Sequence, residues 1–292
     1  MSAKDHGLVL GVDGGGTSGR FALQVGERRY DHMSGAVNVT SDFEASVANL
    51  LEGLAALAGK AGVELTELSG AQAFLGLAGV LGPKDAEAVA RRLPLLNARI
   101  DSDRVAALAG AFEGGAGTLA GLGTGSFMIR QTTQGARALG GWGLALGDEA
   151  SGAWLGRGLL AQTLLACDGM AQHSALTRAV LSEFEDQPEA ISAFGAQADA
   201  GEFAGFAPRV FEGARDGDAA ALSLVTQGAR WIEAGADALG WAAGERLCLT
   251  GGVGPAYVPY LGARYSADLA APLASGLDGA LRLARAQMAA RP

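Results

Sequence analysis

Apolar runs and glycine-rich breaks alternate along the first third of the chain. The runs "LVLGV", "RFALQV" and "GAQAFLGLAGV" are typical of strands, and the more polar "RRYDHMS" and "ARIDSD" are interpreted as a short extended piece and a strand edge. Between them, "SDFEASVANLLEGLAALAGKAG" carries apolar residues at helical spacing with Ser41 or Asp42 as its cap, and "PKDAEAVARRL" begins a helix at proline. The pattern predicts an α/β unit that begins with a β-hairpin.

A similar pattern recurs near residue 115. The stretch "GTLAGLGTGSFMIR" again joins two apolar runs through a glycine and threonine turn, as "GVDGGGTSGRFAL" does near the N-terminus. Mostly helical sequence follows, then a buried strand "ERLCLTGGVG" and a closing helix "LDGALRLARAQMAA". The recurrence suggests two related halves.

Composition narrows the function classes. A chain of 292 residues has room for about two domains, and 49% hydrophobic with 18% charged residues indicates a globular protein. A net charge of −9 argues against a nucleic-acid partner. The start "MSAKDHG" lacks an apolar signal core, and no run approaches the ~18 apolar residues of a membrane span. We therefore expect a cytoplasmic protein without a membrane partner.

Isolated cysteines and histidines give no metal-binding pattern. Cys167 and Cys248 each lie in an apolar stretch, which favours buried free thiols over a metal cluster. His6, His32 and His173 have no metal-compatible spacing and are interpreted as ordinary surface or loop residues.

Three glycine-bearing turns follow Val12, Leu122 and Thr250. The first two lack the spacing and lysine of a P-loop. The first also leads into a strand, whereas a dinucleotide-binding turn leads into a helix. What remains is either an ordinary tight hairpin or a turn whose N–H groups and threonine hydroxyl hold phosphate oxygens. Because the turns occur together, phosphate binding is the preferred interpretation.

Acidic residues beside helix starts have two interpretations. Asp101 and Asp103 both precede an Ala/Leu run, where either could be a helix N-cap or a catalytic base. Asp148 could cap the next helix, with Ser151 at its third position, or accept hydrogen bonds from neighbouring hydroxyls. Trp142 could stack on a sugar or be buried between glycines.

Five segments in order carry a resemblance to a known family: "GVDGGGTSGRF", "DRVAALAGAF", "GLGTGS", "GGWGLALGDEASGAWLG" and "LTGGVG". The set resembles the BadF/BadG/BcrA/BcrD-type ATPases and N-acetylglucosamine kinases of the actin, Hsp70 and sugar-kinase superfamily. The resemblance implies an α/β fold of two ribonuclease-H-like (actin-like ATPase) domains with an interdomain cleft for ATP. The smaller, acceptor-side domain would comprise residues 1–114 with the final helix at 278–292, and the nucleotide-side domain residues 115–277.

The same resemblance assigns roles to particular positions. Asp13 would face Mg²⁺, usually through water, which suits an ion that keeps several waters. The remaining nucleotide-binding residues would be Gly14, Gly15, Gly16, Thr17, Gly123, Thr124, Gly125, Ser126, Gly251 and Gly252. Asp103 stands four residues before "AL" and seven before "GA", which matches the family's base. The other acceptor-binding residues would be Asn38, Thr124, Gly141, Trp142, Asp148 and Glu149.

The resemblance implies an ATP-dependent kinase that phosphorylates the 6-hydroxyl of glucosamine or N-acetylglucosamine, with Mg²⁺ and as a homodimer. Kinases for N-acetylmuramate or another hexose are alternatives. A further alternative is the iron–sulfur ATPase activator of a dehydratase, although Cys167 and Cys248 lie outside glycine-rich loops. A sugar-sensing repressor is disfavoured, since about seven residues precede the first hairpin and leave no room for a helix-turn-helix.

Overall fold

A computed structural model of the chain describes residues 7–289, so His6 lies outside the described residues. These residues divide into two compact units, one of 7–115 with 272–289 and the other of 116–271. The predicted second boundary, at residue 277, lies a few residues later. No helix of residues 7–289 has the length and apolarity needed to cross a bilayer.

Residues 7–289 form nine strands and twelve α-helices. The strands are β1 (Leu8–Gly14), β2 (Gly19–Val25), β3 (Arg28–Ser34), β4 (Gln72–Leu77), β5 (Asn97–Ser102), β6 (Gly117–Leu122), β7 (Ser126–Thr132), β8 (Gly135–Gly140) and β9 (Leu247–Thr250). The helices are α1 (Phe43–Ala61), α2 (Leu65–Leu68), α3 (Pro83–Ala90), α4 (Asp103–Phe112), α5 (Gly152–Cys167), α6 (Ala175–Glu183), α7 (Pro188–Gln197), α8 (Ala200–Ala204), α9 (Ala207–Arg215), α10 (Ala219–Leu239), α11 (Ala263–Ser266) and α12 (Gly276–Ala289). A 3₁₀ turn spans Gly254–Tyr260.

The first unit has a five-stranded sheet in the order β3-β2-β1-β4-β5. Strands β1, β2 and β3 form an antiparallel meander, whereas β4 pairs in parallel with β1 and β5 pairs in parallel with β4. Helix α1 begins at Asp42, whose carboxylate accepts the N–H of Ala45, and ends at Gly62 with φ +67°. The strands and helices predicted for this region are therefore confirmed.

Both faces of this sheet are covered by helices. On one face, Leu10 and Val12 of β1 pack with Leu50 and Leu54 of α1 in a buried apolar cluster. On the other face, Val9 of β1 belongs to a second cluster with residues of α4 and α12. The alternation along β1 therefore assigns even-numbered residues to the α1 face and odd-numbered residues, including Asp13, to the α4 and α12 face.

Helix α12 lies unusually close to its neighbours because glycines remove the intervening side chains. A Cβ added to Gly279 would lie 2.0 Å from the Ala106 carbonyl oxygen, and one added to Gly11 would lie 2.9 Å from the backbone nitrogen of Leu281. Any larger residue would force these backbones apart. The last helix of the chain is thereby seated directly against β1 and α4.

The second unit has a four-stranded sheet in the order β8-β7-β6-β9. Strands β6, β7 and β8 form an antiparallel meander, and β9 pairs in parallel with β6. Both units thus begin with a glycine hairpin whose first strand also pairs with a later parallel strand. Strand β8 is not predicted by the sequence pattern, because it is an edge strand whose residues Gly135 to Leu139 include four exposed positions and a single large apolar side chain.

Candidate active site

The first glycine turn is tied down at its base and open at its tip. Gly15 donates its N–H to the Ser18 carbonyl at 3.0 Å, and its own carbonyl accepts the N–H of Val37 at 2.9 Å. Within residues 7–289, the N–H groups of Gly16, Thr17 and Ser18 form no hydrogen bond. Three consecutive N–H groups that have no partner among these residues are available as donors to an anion.

Asp13 lies immediately before this turn, on the face of the sheet covered by α4 and α12. Its side chain is 21% exposed. A Cβ added to Gly276, the first residue of α12, would lie 2.9 Å from Asp13 Oδ2. Position 276 therefore needs glycine to leave room for the carboxylate. The sequence analysis missed this residue, although the capping box of Ser275 and Asp278 marks the helix start there.

Burial and a neighbouring negative charge make Asp13 a weak acid. Desolvation is the larger cause and the carboxylate of Asp103 adds to it, so that the pKa of Asp13 rises from 3.8 to about 6. The guanidinium of Arg20, whose Nη1 lies 3.9 Å from Asp13 Oδ2, opposes this rise. A cation beside the pair would reduce the electrostatic repulsion between the two carboxylates.

Asp103 is the first residue of α4 and directly follows the end of β5 at Ser102, so the position of β5 in the sheet determines where Asp103 lies. Asp13, Gly76 and Asp101 lie in one row across β1, β4 and β5. A Cβ on Gly76 would lie 3.3 Å from the Cα of Asp103, so the absent side chain at 76 leaves space beside Asp13. Burial raises the pKa of Asp103, while the Arg104 charge and the Ser102 hydroxyl, 3.2 Å from Oδ1, oppose the rise.

The capping interpretation of these aspartates is wrong, because Ser102 caps α4. The Ser102 hydroxyl accepts the N–H of Arg104, so Ser102 rather than either aspartate is the N-cap. Asp101 instead forms an ion pair with Arg99 at 2.7 Å and accepts the N–H of Ser102 at 2.9 Å. Of the two candidates, only Asp103 interacts electrostatically with Asp13.

Asn38 lies beside the first glycine turn. Its side-chain oxygen accepts the N–H groups of Thr40 and Ser41 at 3.2 and 3.3 Å, and its backbone bridges to Ala78 beyond the end of β4. The residue is partly buried. Because Oδ1 is used within the loop, the side-chain NH₂ is the group that could serve a ligand.

The second glycine turn is built into a helix start. The Gly123 carbonyl accepts the N–H of Gly152 at 2.8 Å, and the Thr124 carbonyl accepts the N–H of Ala153 at 3.2 Å, so the turn completes the N-terminus of α5. The N–H groups of Thr124 and Gly125 form no hydrogen bond among the described residues. This turn too offers donors to an anion.

The third glycine stretch packs on the second. Gly251 has φ +83°, and an added Cβ would lie 2.3 Å from the Leu122 carbonyl oxygen. Val253 donates its N–H to that oxygen at 3.0 Å. Gly252 is exposed with open space around its Cα. The structure therefore brings the turns after Leu122 and after Thr250 together at the end of the second sheet.

Asp148 also lies at this end of the second unit. A Cβ on Gly125 would lie 2.8 Å from Asp148 Oδ2, and the residue is buried, with 7% of its surface exposed. Asp148 does not cap α5, as one interpretation held; Ser151 does, by accepting the N–H of Trp154 at 3.1 Å. Glu149 is partly exposed, and its carbonyl accepts the buried hydroxyl of Ser126 at 2.6 Å.

Trp142 and Gly141 lie on the loop that leads to Asp148. Trp142 is 73% exposed, which excludes the buried alternative. Gly141 adopts φ +71°, a conformation that favours glycine. The Cβ of Trp142 would lie 3.5 Å from a Cβ on Gly147, one residue before Asp148. An exposed indole is thus available on the loop that precedes Asp148.

Residues 10–260 match the model of the BadF/BadG/BcrA/BcrD ATPase family. A glucosamine kinase, GspK, of Vibrio cholerae serotype O1 is 29% identical over 278 residues, which cover 94% of this chain and 95% of that protein. A crystal structure from Chromobacterium violaceum, of a protein provisionally named an N-acetylglucosamine kinase, is 34% identical with a TM-score of 0.88 and covers 96% of this chain and 99% of its own.

A ROK family glucokinase of Streptomyces griseus, solved with glucose and AMPPNP, shares the fold at a TM-score of 0.52 and 19% identity, covering 96% of this chain and all of that one. The α/β fold of the actin-like sugar-kinase type, predicted from the sequence, is confirmed. The chain belongs to the BadF/BadG/BcrA/BcrD ATPase family.

Proposed function

We propose that this chain is an ATP-dependent kinase that transfers the γ-phosphoryl group of ATP to the 6-hydroxyl of glucosamine or N-acetylglucosamine. The observation that carries the proposal is the pair of Asp13 and Asp103, two partly buried carboxylates beside a turn with three free N–H groups. The similarity to a glucosamine kinase over nearly the whole chain supports the same acceptor class.

Asp103 is proposed as the base. Its carboxylate would orient the acceptor hydroxyl and take its proton as that oxygen attacks the γ-phosphorus. In a loose transition state the proton leaves late, so the position of the carboxylate matters more than its basicity. The raised pKa of Asp103 brings it closer to that of a useful base at neutral pH.

The residues present fit a magnesium ion that arrives with the nucleotide. Within the part of the chain that the structure describes, no group of three or more His, Cys, Asp or Glu side chains could hold a metal alone. Mg²⁺ typically uses one or two carboxylates, waters and substrate phosphates, and Asp13 supplies a carboxylate whose pKa is raised first by burial and then by the charge of Asp103. Bound there, Mg²⁺ would neutralise charge on the phosphates; Asp13 would orient its waters.

The remaining residues divide between the two substrates. In the first unit, Gly14 to Thr17 would donate N–H groups to phosphate oxygens, and Asn38 would donate its NH₂ to a sugar hydroxyl. In the second unit, Gly123 to Gly125 would do the same for phosphate, with Gly251 and Gly252 along the adenosine. Asp148, with Glu149 and Trp142, would bind the sugar, since a carboxylate accepts from two adjacent hydroxyls.

The iron–sulfur activator alternative has no support in the cysteines. Cys167 is the last residue of α5 and Cys248 lies in β9, where burial raises the pKa of its thiol. A raised pKa disfavours the thiolate that iron would need. Homodimerisation and a cytoplasmic location stay predictions, to be checked by sedimentation velocity and by cell fractionation.

The decisive experiment is an ADP-release assay with glucosamine, N-acetylglucosamine, N-acetylmuramate and glucose as acceptors. We expect sugar-dependent turnover that is highest for one of the two amino sugars. Asp103→Asn should lower kcat by roughly 10²- to 10⁴-fold, the range for a positioned base. Asp101→Asn is the matched control two residues away; it removes the charge that pairs with Arg99, while the asparagine oxygen can still accept the N–H of Ser102, so the variant should keep its activity.

Three outcomes would overturn parts of this proposal. Sugar-independent ATPase with a brown protein would favour the activator. Preference for N-acetylmuramate or glucose would change the acceptor. Full activity in Asp103→Asn with loss in Asp101→Asn would reverse the base assignment.

A further inference from the structure

The chain around Asp148 adopts a backbone conformation that needs support. Asp148 and Ala150 have φ of +60° and +64°, values that residues with a Cβ rarely adopt. Two such residues on either side of Glu149 store strain that the surrounding structure must offset. The position of the Asp148 carboxylate, which is proposed to bind the sugar, therefore depends on the contacts that stabilise residues 148–150.

Ser126 makes one of those contacts. It is the first residue of β7, it is 3% exposed, and its hydroxyl donates to the Glu149 carbonyl at 2.6 Å. Glu149 is the residue between the two strained positions. The bond thus joins the rigid end of the sheet to the centre of the strained segment.

The far side of the segment is fixed independently by the start of α5. Ser151 donates its N–H to the Asp148 carbonyl at 3.1 Å, and its hydroxyl caps the helix. On the near side, Gly125 lies against the Asp148 carboxylate. Without the Ser126 bond, the Glu149 carbonyl would lose its partner, and the strained peptide units could turn away from their present orientation.

Ser126 was predicted to bind phosphate, but the hydrogen bond of its hydroxyl conflicts with that role. A serine hydroxyl has one proton to donate, and phosphate oxygens only accept. While that proton is donated to Glu149, the Ser126 hydroxyl has nothing to offer a phosphate.

We infer that Ser126 is a positioning residue for the acceptor carboxylate: it acts through Glu149 to hold Asp148 in place, and it does not contact the nucleotide through its side chain. The inference rests on the proposed function as far as the sugar is concerned. The mechanical part, the support of residues 148–150, is independent of any activity.

The experiment compares Ser126→Ala with Ser126→Thr, which keeps the hydroxyl. In Ser126→Ala, KM for the amino sugar should rise about tenfold, which corresponds to loss of one hydrogen bond to a buried group, while KM for ATP stays within about twofold of the wild type. Ser126→Thr should restore most of the sugar affinity.

A second readout does not need turnover. Hydrogen exchange of the peptide that covers residues 143–154 should be about tenfold faster in Ser126→Ala at its most protected amides, with no change over β6. The matched control is Thr163→Val, because the buried Thr163 hydroxyl also donates to a backbone carbonyl of this unit, that of Leu159 at 2.9 Å. It should leave both exchange over 143–154 and KM for the sugar unchanged.

The outcomes separate the two claims. A rise in KM for ATP with KM for the sugar unchanged would overturn the inference and restore the phosphate role. Unchanged exchange over 143–154 in Ser126→Ala would overturn it as well. If the wild type phosphorylates no sugar, the proposed function fails, and the exchange result still decides whether Ser126 supports the segment. Should Ser126→Thr fail to fold, the exchange of Ser126→Ala carries the test.

Discussion

The two glycine hairpins share a topology and differ in what their turns are attached to. In the first unit, the turn of Gly15 to Ser18 lies beside Asp13 and Asp103, and mutual repulsion adds to burial in weakening Asp13 as an acid. In the second unit, the carbonyls of Gly123 and Thr124 complete the N-terminus of α5, and the nearest carboxylate is Asp148.

This difference teaches that one hairpin design can serve two purposes. Beside the first turn, two carboxylates lie close enough to repel each other, which lowers the stability of the ligand-free protein. Such an arrangement is expected where a cation and a reacting group bind. The second turn completes the start of α5 and contacts the segment of Asp148 through Gly125. Substitutions should therefore act through charge in the first unit and through geometry in the second.

The largest effect is expected at Asp13. Asp13→Asn should reduce kcat/KM by roughly 10²- to 10³-fold, the range for loss of one electrostatic group at a reacting centre. The same variant should be more stable than the wild type without ligand at pH 8, by up to about 3 kcal/mol, because two pKa units correspond to that free energy.

The pH dependence of this gain has a defined sign. The folded-state pKa of about 6 lies above the ordinary value of 3.8, so the contribution of Asp13 to stability is fully present below pH 3.8 and is lost as pH rises through about 6. Urea denaturation at pH 4, 6 and 8 should show the advantage of Asp13→Asn growing across that range. An advantage independent of pH would contradict the charge argument.

Next in size is the loss of stability at Gly251. Gly251→Ala should lower the free energy of unfolding by about 1–3 kcal/mol, because its φ is +83° and its Cβ would meet the Leu122 carbonyl. Gly252→Ala is the matched control, since nothing lies within 4 Å of its Cβ and its φ is outside the left-handed region. Equal denaturation curves for the two variants would refute the close packing of these turns.

A smaller effect is expected from the contact of the second turn with Asp148. In Gly125→Ala the added Cβ would lie 2.8 Å from the carboxylate and displace it, so KM for the sugar should rise by about tenfold, or ~1.4 kcal/mol. Gly123→Ala, in the same turn, has open space for its Cβ and should leave KM for the sugar unchanged. Steady-state kinetics would measure KM for the sugar in both variants. Equal values would contradict a geometric coupling between the second turn and Asp148.

The smallest expected effects are at the two helix caps. Ser102→Ala and Ser151→Ala should each lower stability by about 1 kcal/mol, the usual value for an N-cap. Ser102→Ala should in addition raise the pKa of Asp103, because the Ser102 hydroxyl hydrogen bond lowers it. The pH profile of kcat/KM should shift for Ser102→Ala and stay in place for Ser151→Ala.

The hairpins and the helical stretches could be predicted because their information is local. Alternating apolar residues, turn glycines and the cap at Asp42 are all readable within a few positions. The choice among Asp101, Ser102 and Asp103 is not local, since all three can cap a helix and the decision depends on where helical φ and ψ begin. Pairing of Asp101 with Arg99 and approach of Asp103 to Asp13 follow only from the folded sheet.

The same limit explains what was missed in the second unit. Strand β8 pairs through its backbone at a sheet edge and needs almost no apolar side chains. The left-handed conformations of Asp148 and Ala150 could not be predicted, because neither residue is a glycine, the usual sequence signal for a positive φ. The bond from Ser126 to Glu149 spans 23 positions, so no spacing rule could identify it.

The packing of α12 against β1 and α4 determines the order in which the two units can complete folding during synthesis. Residues 116–271 are contiguous and can fold as they emerge, whereas the other unit needs its last helix to complete its sheet face. Since Gly276 abuts Asp13, the acidic pair reaches its final surroundings only after α12 has been synthesised.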